Sequence, residues 1–218
     1  MKEFLATMEK CPLFEGIDQG ELAALLDCLG AQIKSADKST YILNDGERAE
    51  NVGIVLTGAV QIIREDYYGR RSVLAQAGAG ALFAESFACA DAPLSVSVVA
   101  SENCKYMLIN CRRIIQGCSA ACSFHSKMSM NLLKVVAEKN LFLNQKLEII
   151  SRRTTHEKLM AYLMAQAKLH GSNSFTIPFD RQALADFLGV ERSAMSAEIS
   201  KLRSDGIIES ERSYFKLL

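Results

Sequence analysis

The chain has 218 residues, with 25 Lys and Arg against 25 Asp and Glu, a formal net charge of zero. With 49% hydrophobic and 23% charged residues it can bury a core, and its length suits two domains. These values exclude a disordered polyelectrolyte and a globally basic nucleic-acid coat, and 3 Pro with 13 Gly exclude collagen-like or linker-dominated architectures.

The opening MKEFLATMEK carries charges where a signal peptide has an apolar stretch. No apolar run reaches the ~18 residues that span a bilayer. The expectation is a cytoplasmic chain with no membrane partner. Residues 1 to 29 read as helical. Leu22, Leu25, Leu26 and Leu29 recur at helical spacing, Asp18 is a candidate N-cap with Glu21 completing a capping box, and Gly30 is a stop.

From Ala31 to Asn110 the pattern changes to short β-branched stretches. They run from Ile33, Tyr41–Leu43, Val52–Leu56, Val60–Ile63, Val73–Leu74, Leu94–Val99 and Tyr106–Ile109, separated by turn signals such as Asn44-Asp45-Gly46 and Thr57-Gly58. Close, regular spacing of this kind suggests a compact barrel or jelly roll.

A long helix is expected from about Ser119 to Ile150. Leu133, Val136, Asn140, Leu143, Leu147 and Ile150 alternate at three and four residues, a heptad seam with one polar member. So narrow a seam fits a second copy of the helix; the alternative is packing on the chain's own barrel. The remainder reads as helix His156–Leu169, extended Ser174–Phe179, helix Arg181–Leu188, a tight turn at Gly189-Val190, helix Arg192–Arg203 and a two-stranded wing at Ile207-Ile208 and Tyr214–Leu217.

Residues 1–150 carry 15 Lys and Arg against 17 Asp and Glu, a net of −2; residues 151–218 carry 10 against 8, a net of +2. The basic excess sits at the C-terminal end. The most informative stretch there is FDRQALADFLGVERSAMSAEISKLRSDGIIE. Here Leu184, Ala185 and Leu188 of one short helix face Met195, Ile199 and Leu202 of the next. The outer face of the second helix bears Arg192, Ser193, Ser196, Ala197, Ser200 and Lys201. This is a helix-turn-helix layout, with small residues that let the second helix enter a major groove. Arg192 can reach a guanine edge or a phosphate, Gln182 and Ser193 can contact phosphate, and Arg181 and Lys201 add positive charge. A solvated helical hairpin is the alternative reading. Double-stranded DNA is the expected partner, and a local basic patch suffices for it in a neutral chain.

Across nearly its whole length the sequence resembles the Crp–Fnr family of bacterial transcription regulators. CPLFEGIDQGELAALLDCLG is similar to that family's N-terminal helices. YILNDGERAENVGIVLTGAVQI is similar to the first strands of its cyclic-nucleotide-binding-type barrel, with Gly46 and Gly58 at the expected turns. GALFAESFACADAPLSVSVVA resembles its ligand cradle, and ERSAMSAEISKLRSDGII its recognition helix. The resemblance implies an α+β chain in three parts: an N-terminal antiparallel β jelly-roll barrel forming a cyclic-nucleotide-binding-like effector domain over 1–118, a long dimerisation helix over 119–150, and a winged helix-turn-helix domain over 151–218. It further implies a homodimer on a two-fold operator with half-sites roughly 34 Å apart. A small-molecule effector in the barrel would be coupled to the DNA-reading domain through the long helix, and RNA polymerase is a further contact such a regulator can make.

In cyclic-AMP-responsive members the cradle offers a glutamate to the ribose, then an arginine and a serine to the cyclic phosphate. Glu85 matches the glutamate, with Ser86 next to it, and Ser95 matches the serine, but Leu94 stands where the arginine should be. A desolvated phosphate needs a compensating cation. On the long helix, the position of the adenine-contacting hydroxyl is Leu143, with Asn144 beside it. Both losses argue against cyclic AMP. Arg48, Arg64, Arg70 and Arg71 are the cations of this stretch available to another anion.

The chain has seven cysteines, Cys11, Cys28, Cys89, Cys104, Cys111, Cys118 and Cys122, an odd number without an export signal and so expected as thiols. The iron–sulfur branch of the family clusters cysteines near the N-terminus, whereas Cys11 alone precedes Cys28 here. A second grouping, Cys111, Cys118, Cys122 and His125, puts three thiolate or imidazole groups on one helix face. It is a weak candidate for zinc, iron or haem, or for redox-sensing thiols, against plain packing. No cofactor is assigned. No phosphate-binding glycine loop, nucleophile elbow or ordered Ser–His–Asp set occurs, which argues against an enzyme.

Overall fold

The computed structural model describes residues 2–68, 71–116 and 123–218. The chain forms two compact units, residues 1–138 and 139–218, divided inside the long helix.

Unit 1 opens with a short helix α1 (Leu5–Glu9) and then α2 (Gln19–Leu29). Asp18 caps α2 by accepting from the Gly20 N–H at 2.8 Å, and Gly30 ends it with φ 64. The N-cap is as the sequence suggests, but the side-chain bond goes to Gly20 rather than through a reciprocal box with Glu21. Leu22, Leu25, Leu26 and Leu29 are buried, the inward stripe that their spacing requires.

Eight strands follow: β1 (Gln32–Ala36), β2 (Tyr41–Leu43), β3 (Asn51–Thr57), β4 (Ala59–Glu65), β5 (Arg71–Gly78), β6 (Leu82–Phe83), β7 (Ser97–Ala100) and β8 (Cys104–Asn110), with helix α3 (Glu85–Ala90) between β6 and β7. They form two antiparallel four-stranded sheets, in the orders β1-β8-β3-β6 and β2-β7-β4-β5. The non-sequential neighbours are those of a jelly roll. Central β3 and β7 are buried on both faces, so they read as continuous apolar runs rather than alternating ones. Between the sheets lie Val55, Val60, Phe83, Val98 and Tyr106, with the Phe83 and Tyr106 rings 6.1 Å apart and edge to face.

After α4 (Cys111–Gln116) comes the long helix α5 (Ser123–Ile150). Its Met128, Leu132 and Val135 join the core built on α2 and β3. Buried Asn131 donates to the Leu13 and Glu15 carbonyls, both at 3.0 Å, fastening α5 to the N-terminal turns.

Unit 2 holds the end of α5, then α6 (Thr155–His170), β9 (Ser174–Thr176), α7 (Arg181–Leu188), α8 (Arg192–Ser204), β10 (Ile208–Glu211) and β11 (Tyr214–Leu217). A reciprocal capping box starts α6: Thr154 accepts from the Glu157 N–H, and Glu157 accepts from the Thr154 N–H. The wing has three strands rather than two. β9 pairs with β11, placing Phe175 opposite Phe215, and both rings are buried. Ile149, Leu159, Leu163, Leu184, Met195 and Ile199 complete a core separate from those of unit 1.

Gly53 of β3 marks the tightest contact in the barrel. A Cβ there would lie 2.2 Å from the ring of buried Phe83. Overpacking of this kind costs about 1–3 kcal/mol. Gly53→Ala is expected to lower the denaturant midpoint accordingly, while Gly78→Ala, where a Cβ meets nothing within 4 Å, shifts it far less.

Candidate nucleic-acid interface and effector cradle

Asp180 accepts from the Ala183 N–H at 2.8 Å and starts α7; Gly189, at φ 61, closes it. That positive φ lets the chain reverse within three residues into α8. Leu184, Ala185 and Leu188 of α7 and Met195, Ile199 and Leu202 of α8 are buried. With its apolar stripe spent inward, α8 turns Arg192, Ser193, Ala197, Ser200 and Lys201 to the surface. Ser196 is half-buried, and its carbonyl accepts from the Ser200 hydroxyl at 3.0 Å. Glu198 hydrogen-bonds to His156 of α6 at 2.8 Å, which fixes the rotation of α8.

The two α7 residues expected at the DNA-facing surface, Arg181 and Gln182, behave differently from each other. Gln182 is exposed, and its amide donates to Asp186 at 2.9 Å. Arg181 was expected on the DNA-facing surface, but its guanidinium is half-buried under the wing. It donates to the Ser210 hydroxyl at 3.2 Å and lies 5.0 Å over the Phe215 ring. Burial, and then the nearby Arg203 charge, lowers its pKa from the usual arginine value. Arg181 therefore anchors β10 and β11 against α7, with the cation seated on an aromatic face.

Two cations that the sequence reading left unassigned stand nearby. Exposed Arg203 and Arg212 line a groove of about 880 Å³ between the end of α8 and the wing, with Ser200, Ser204 and Tyr214. Arg212 sits at the wing tip with φ 49, a left-handed conformation that a non-glycine residue rarely takes. The tip sequence Glu211-Arg212-Ser213 lacks the Asn-Gly or Gly-X signature that would have announced this turn. For Arg203 the signal was its exposed position near the end of α8.

In unit 1 the cradle residues lie on α3 and the loop that follows it. Glu85 begins α3 and is 4% exposed; the neighbouring Ser86 hydroxyl donates to it at 3.3 Å. Leu94 is 3% exposed and belongs to the apolar core, its backbone locked by Glu47 (2.8 Å) and Gly46 (2.9 Å). Ser95 is exposed. Glu85 and Leu94 thus face inward while Ser86 and Ser95 face out. Two of the arginines offered as substitute cations are already engaged. Arg48 pairs with Asp91 at 3.6 Å, an acid it shares with Arg112, and Arg71 pairs with Glu65 at 3.1 Å and with the Tyr41 hydroxyl at 2.7 Å. Arg64 is exposed on β4, and Arg70 lies outside the described residues. Leu143 and Asn144 are exposed on α5, where Asn144 donates to Asn140 at 2.9 Å.

Cys118 and Cys122 fall outside the described residues. Of the proposed cysteine–histidine set, Cys111 meets Cys89 of α3, sulfur to sulfur at 3.6 Å, and buried His125 lies 4.0 Å from the sulfur of Cys28 on α2. Neither contact was visible as a sequence spacing. Among the described residues no three His, Cys, Asp or Glu side chains gather as a metal site.

Two family models match the chain: a cyclic nucleotide-binding domain over residues 33–120 and a Crp-like helix-turn-helix domain over residues 157–218. The chain belongs to the Crp–Fnr family. It is 33% identical over 72 residues to the transcriptional activator protein FnrL of Cereibacter sphaeroides, a match covering 29% of each chain. Among solved Crp–Fnr-like structures, CprK complexed with OCPA matches with a TM-score of 0.64 at 13% identity, over 89% of this chain and 88% of that one. The Thermus thermophilus catabolite activator protein matches with a TM-score of 0.50 at 20% identity, over 95% and 93%. FixK2 from Bradyrhizobium japonicum matches with a TM-score of 0.50 at 22% identity, over 86% and 92%. Likeness at these identities speaks to the shared fold. Crp–Fnr proteins are transcription regulators rather than enzymes, and no described helix is long and apolar enough to cross a membrane.

Burial pushes the Cys111 thiol up to about 12 and the Cys11 thiol up to about 11. A raised pKa keeps both as neutral thiols at pH 7.5, and the thiolate is the nucleophile. Peptide mapping after brief iodoacetamide treatment of the native protein is expected to find Cys11 and Cys111 unmodified and exposed Cys28 alkylated. Unfolding in guanidinium should equalise the three.

Proposed function

We propose that the chain is a homodimeric, sequence-specific DNA-binding transcription regulator, cytoplasmic, whose DNA affinity is set by a small-molecule effector in the N-terminal barrel. The observation that carries this reading is the α8 surface. Arg192, Ser193, Ala197, Ser200 and Lys201 are exposed on one side of a helix whose other side is consumed by the core. Arg192, at the first helical position, can present its guanidinium bidentately to a guanine edge. Gln182 and Ser193 serve as phosphate-positioning groups, and Arg203 and Arg212 offer further phosphate contacts from the wing groove, which Glu209 and Glu211 also line.

The exposed apolar stripe of α5 supports the dimer. Leu133, Leu143 and Leu147 are each about 60% exposed, whereas Leu132 and Val135 on the opposite side are buried. With Asn140 and half-buried Ile150, the three leucines supply the seam of the proposed two-stranded coil, while Val136 is half-buried against the core of unit 1. Effector control is then a population shift: a ligand bound better by one conformation of the dimer favours the spacing of recognition helices that matches DNA pitch.

An effector other than cyclic AMP is supported by Leu94, which puts an apolar side chain in the core where a phosphate needs a cation. The alternative is a thiol- or metal-dependent regulator using Cys111, Cys118, Cys122 and His125; against it, Cys111 contacts Cys89 and His125 contacts Cys28, both outside that set. Metal analysis and a visible spectrum of protein purified without oxygen separate the two readings.

Fluorescence anisotropy with DNA taken from upstream of the protein's own coding region tests the main reading. Wild type is expected to bind with a preference over scrambled DNA. Arg192→Ala is expected to lose about 1–3 kcal/mol of that preference, roughly ten- to a hundredfold. Lys201→Ala should weaken both DNAs alike and reduce the salt slope by about 1. Wild type that shows no sequence preference under any effector condition sinks the proposal. For the seam, Leu143→Asp with Leu147→Asp is expected to convert a dimer into monomers in sedimentation; a wild-type monomer at micromolar concentration would overturn the pairing.

A further inference from the structure

An aromatic-lined cavity in unit 2 lies away from the recognition face. A cavity of about 480 Å³ opens between the last turns of α5, helix α6, the β9–α7 loop and α7. Phe187 of α7 forms its floor. Around that ring stand Phe179 at 5.1 Å, Tyr162 at 5.3 Å and Phe142 at 6.2 Å, measured between ring centres. The rings are tilted rather than packed flat on one another, with interplanar angles of 32°, 58° and 54°. These separations are those of rings packed directly on one another, so the four form one aromatic cluster whose cavity-lining side offers a surface on which a flat ring can lie.

The charge of the cavity is one-sided. Among the described residues that line it, Lys146 carries the one permanent charge, and no lining residue is a carboxylate. Its ammonium lies 4.9 Å from the centre of the Phe187 ring and has no carboxylate partner among the described residues. Gln145 and Gln166 supply neutral hydrogen-bonding groups at the same rim. The volume falls in the range of sites that enclose a small organic ligand, commonly about 300–1,000 Å³.

We propose that this cavity is a small-molecule site of its own, distinct from the barrel cradle, that takes a planar aromatic carboxylate. The ring lies on the cavity-lining side of the Phe142, Tyr162, Phe179 and Phe187 cluster, and the carboxylate meets the Lys146 ammonium, which has no carboxylate partner among the described residues. A neutral aromatic would gain the stacking without the ion pair, and an aliphatic acid the ion pair without the stacking. Phe187 belongs to the first helix of the DNA-reading pair and Phe142 to α5, so a ligand touching both ties these two elements of unit 2 together. The helical positions agree with this: Phe142, Lys146 and Ile149 lie on the side of α5 turned away from Asn140 and Leu147, so the seam proposed for pairing does not occupy the cavity.

Calorimetric titration of the full chain with 1-naphthoate, and separately with its neutral counterpart 1-naphthalenemethanol, tests the site without recourse to DNA binding. The expected result is saturable binding of one 1-naphthoate per chain, about tenfold or more tighter than the alcohol, the usual scale of a charge-assisted contact. Lys146→Met leaves the core untouched and should remove that difference, weakening 1-naphthoate by about tenfold and the alcohol by less than about twofold. Phe187→Ala should weaken both, provided its circular dichroism matches wild type. Absence of saturable 1-naphthoate binding, or a Lys146→Met protein that binds it as tightly as wild type, overturns the proposal. Neither result bears on the DNA-binding reading, which the anisotropy experiment decides.

Discussion

The polar face of α8 is available only because its apolar face is fully used. Met195, Ile199 and Leu202 recur every three or four residues and are all buried, so the rotation of the helix about its own axis is fixed before any ligand arrives. Each such side chain contributes roughly 1.5–3 kcal/mol by leaving water, far more than the surface ion pairs elsewhere in unit 2. Ala185, fully buried on α7 where α7 and α8 meet, keeps the two helices close. The His156–Glu198 hydrogen bond then pins α8 to α6 from the side. A recognition surface results whose residue identities can vary while its direction cannot. This separation of scaffold from readout is what lets one helix pair serve many sequences.

The barrel follows the opposite logic. Its candidate cradle is continuous with the core instead of standing out from it. Leu94 is held by backbone hydrogen bonds to Gly46 and Glu47 and packs inward. An arginine at this position would have to carry its charge into an apolar cluster and be met there by an anion. With leucine the cluster is complete as it stands, and Glu85 keeps a carboxylate buried at the start of α3 beside the Ser86 hydroxyl. Three of the cations of this unit pair with local carboxylates, Arg48 and Arg112 with Asp91 and Arg71 with Glu65. Leucine at this position thus completes the apolar cluster and supplies no cation.

What the sequence made legible was local. The Asp18 cap, the Gly30 and Gly189 stops, the strand segments and the buried stripes of α7 and α8 each depend on residues within a few positions of one another, where periodicity and capping act. The features that escaped are non-local. β9 has three residues, too short to declare a partner, and it became a sheet member only because β11 presents Phe215 opposite Phe175. Arg181 looked like a surface cation by composition, but the wing folds back over it. Cys111 was grouped with cysteines close in sequence, whereas the thiol it touches is 22 positions upstream on α3. The Phe142, Tyr162, Phe179 and Phe187 cluster draws on four separate segments, so no window of sequence contains it.

The long helix α5 carries both kinds of information at once. Its buried residues, Met128, Leu132 and Val135 toward one core and Ile149 toward the other, satisfy the demands of the two units. Further apolar residues face water, Leu133, Leu143 and Leu147 along the seam and Met130, Leu141 and Phe142 beside it, although leucine contributes to stability only when buried. A helix that had only to join two units would place charged residues at these positions. Asn140 is the one polar member of that stripe, and within its own helix it accepts from Asn144. In the dimer proposed above, the stripe supplies the drive to associate, and a polar residue at one seam position sets the alignment at a cost in stability. Alignment is what a twofold reader of DNA requires, since an error in helix register displaces both recognition surfaces together.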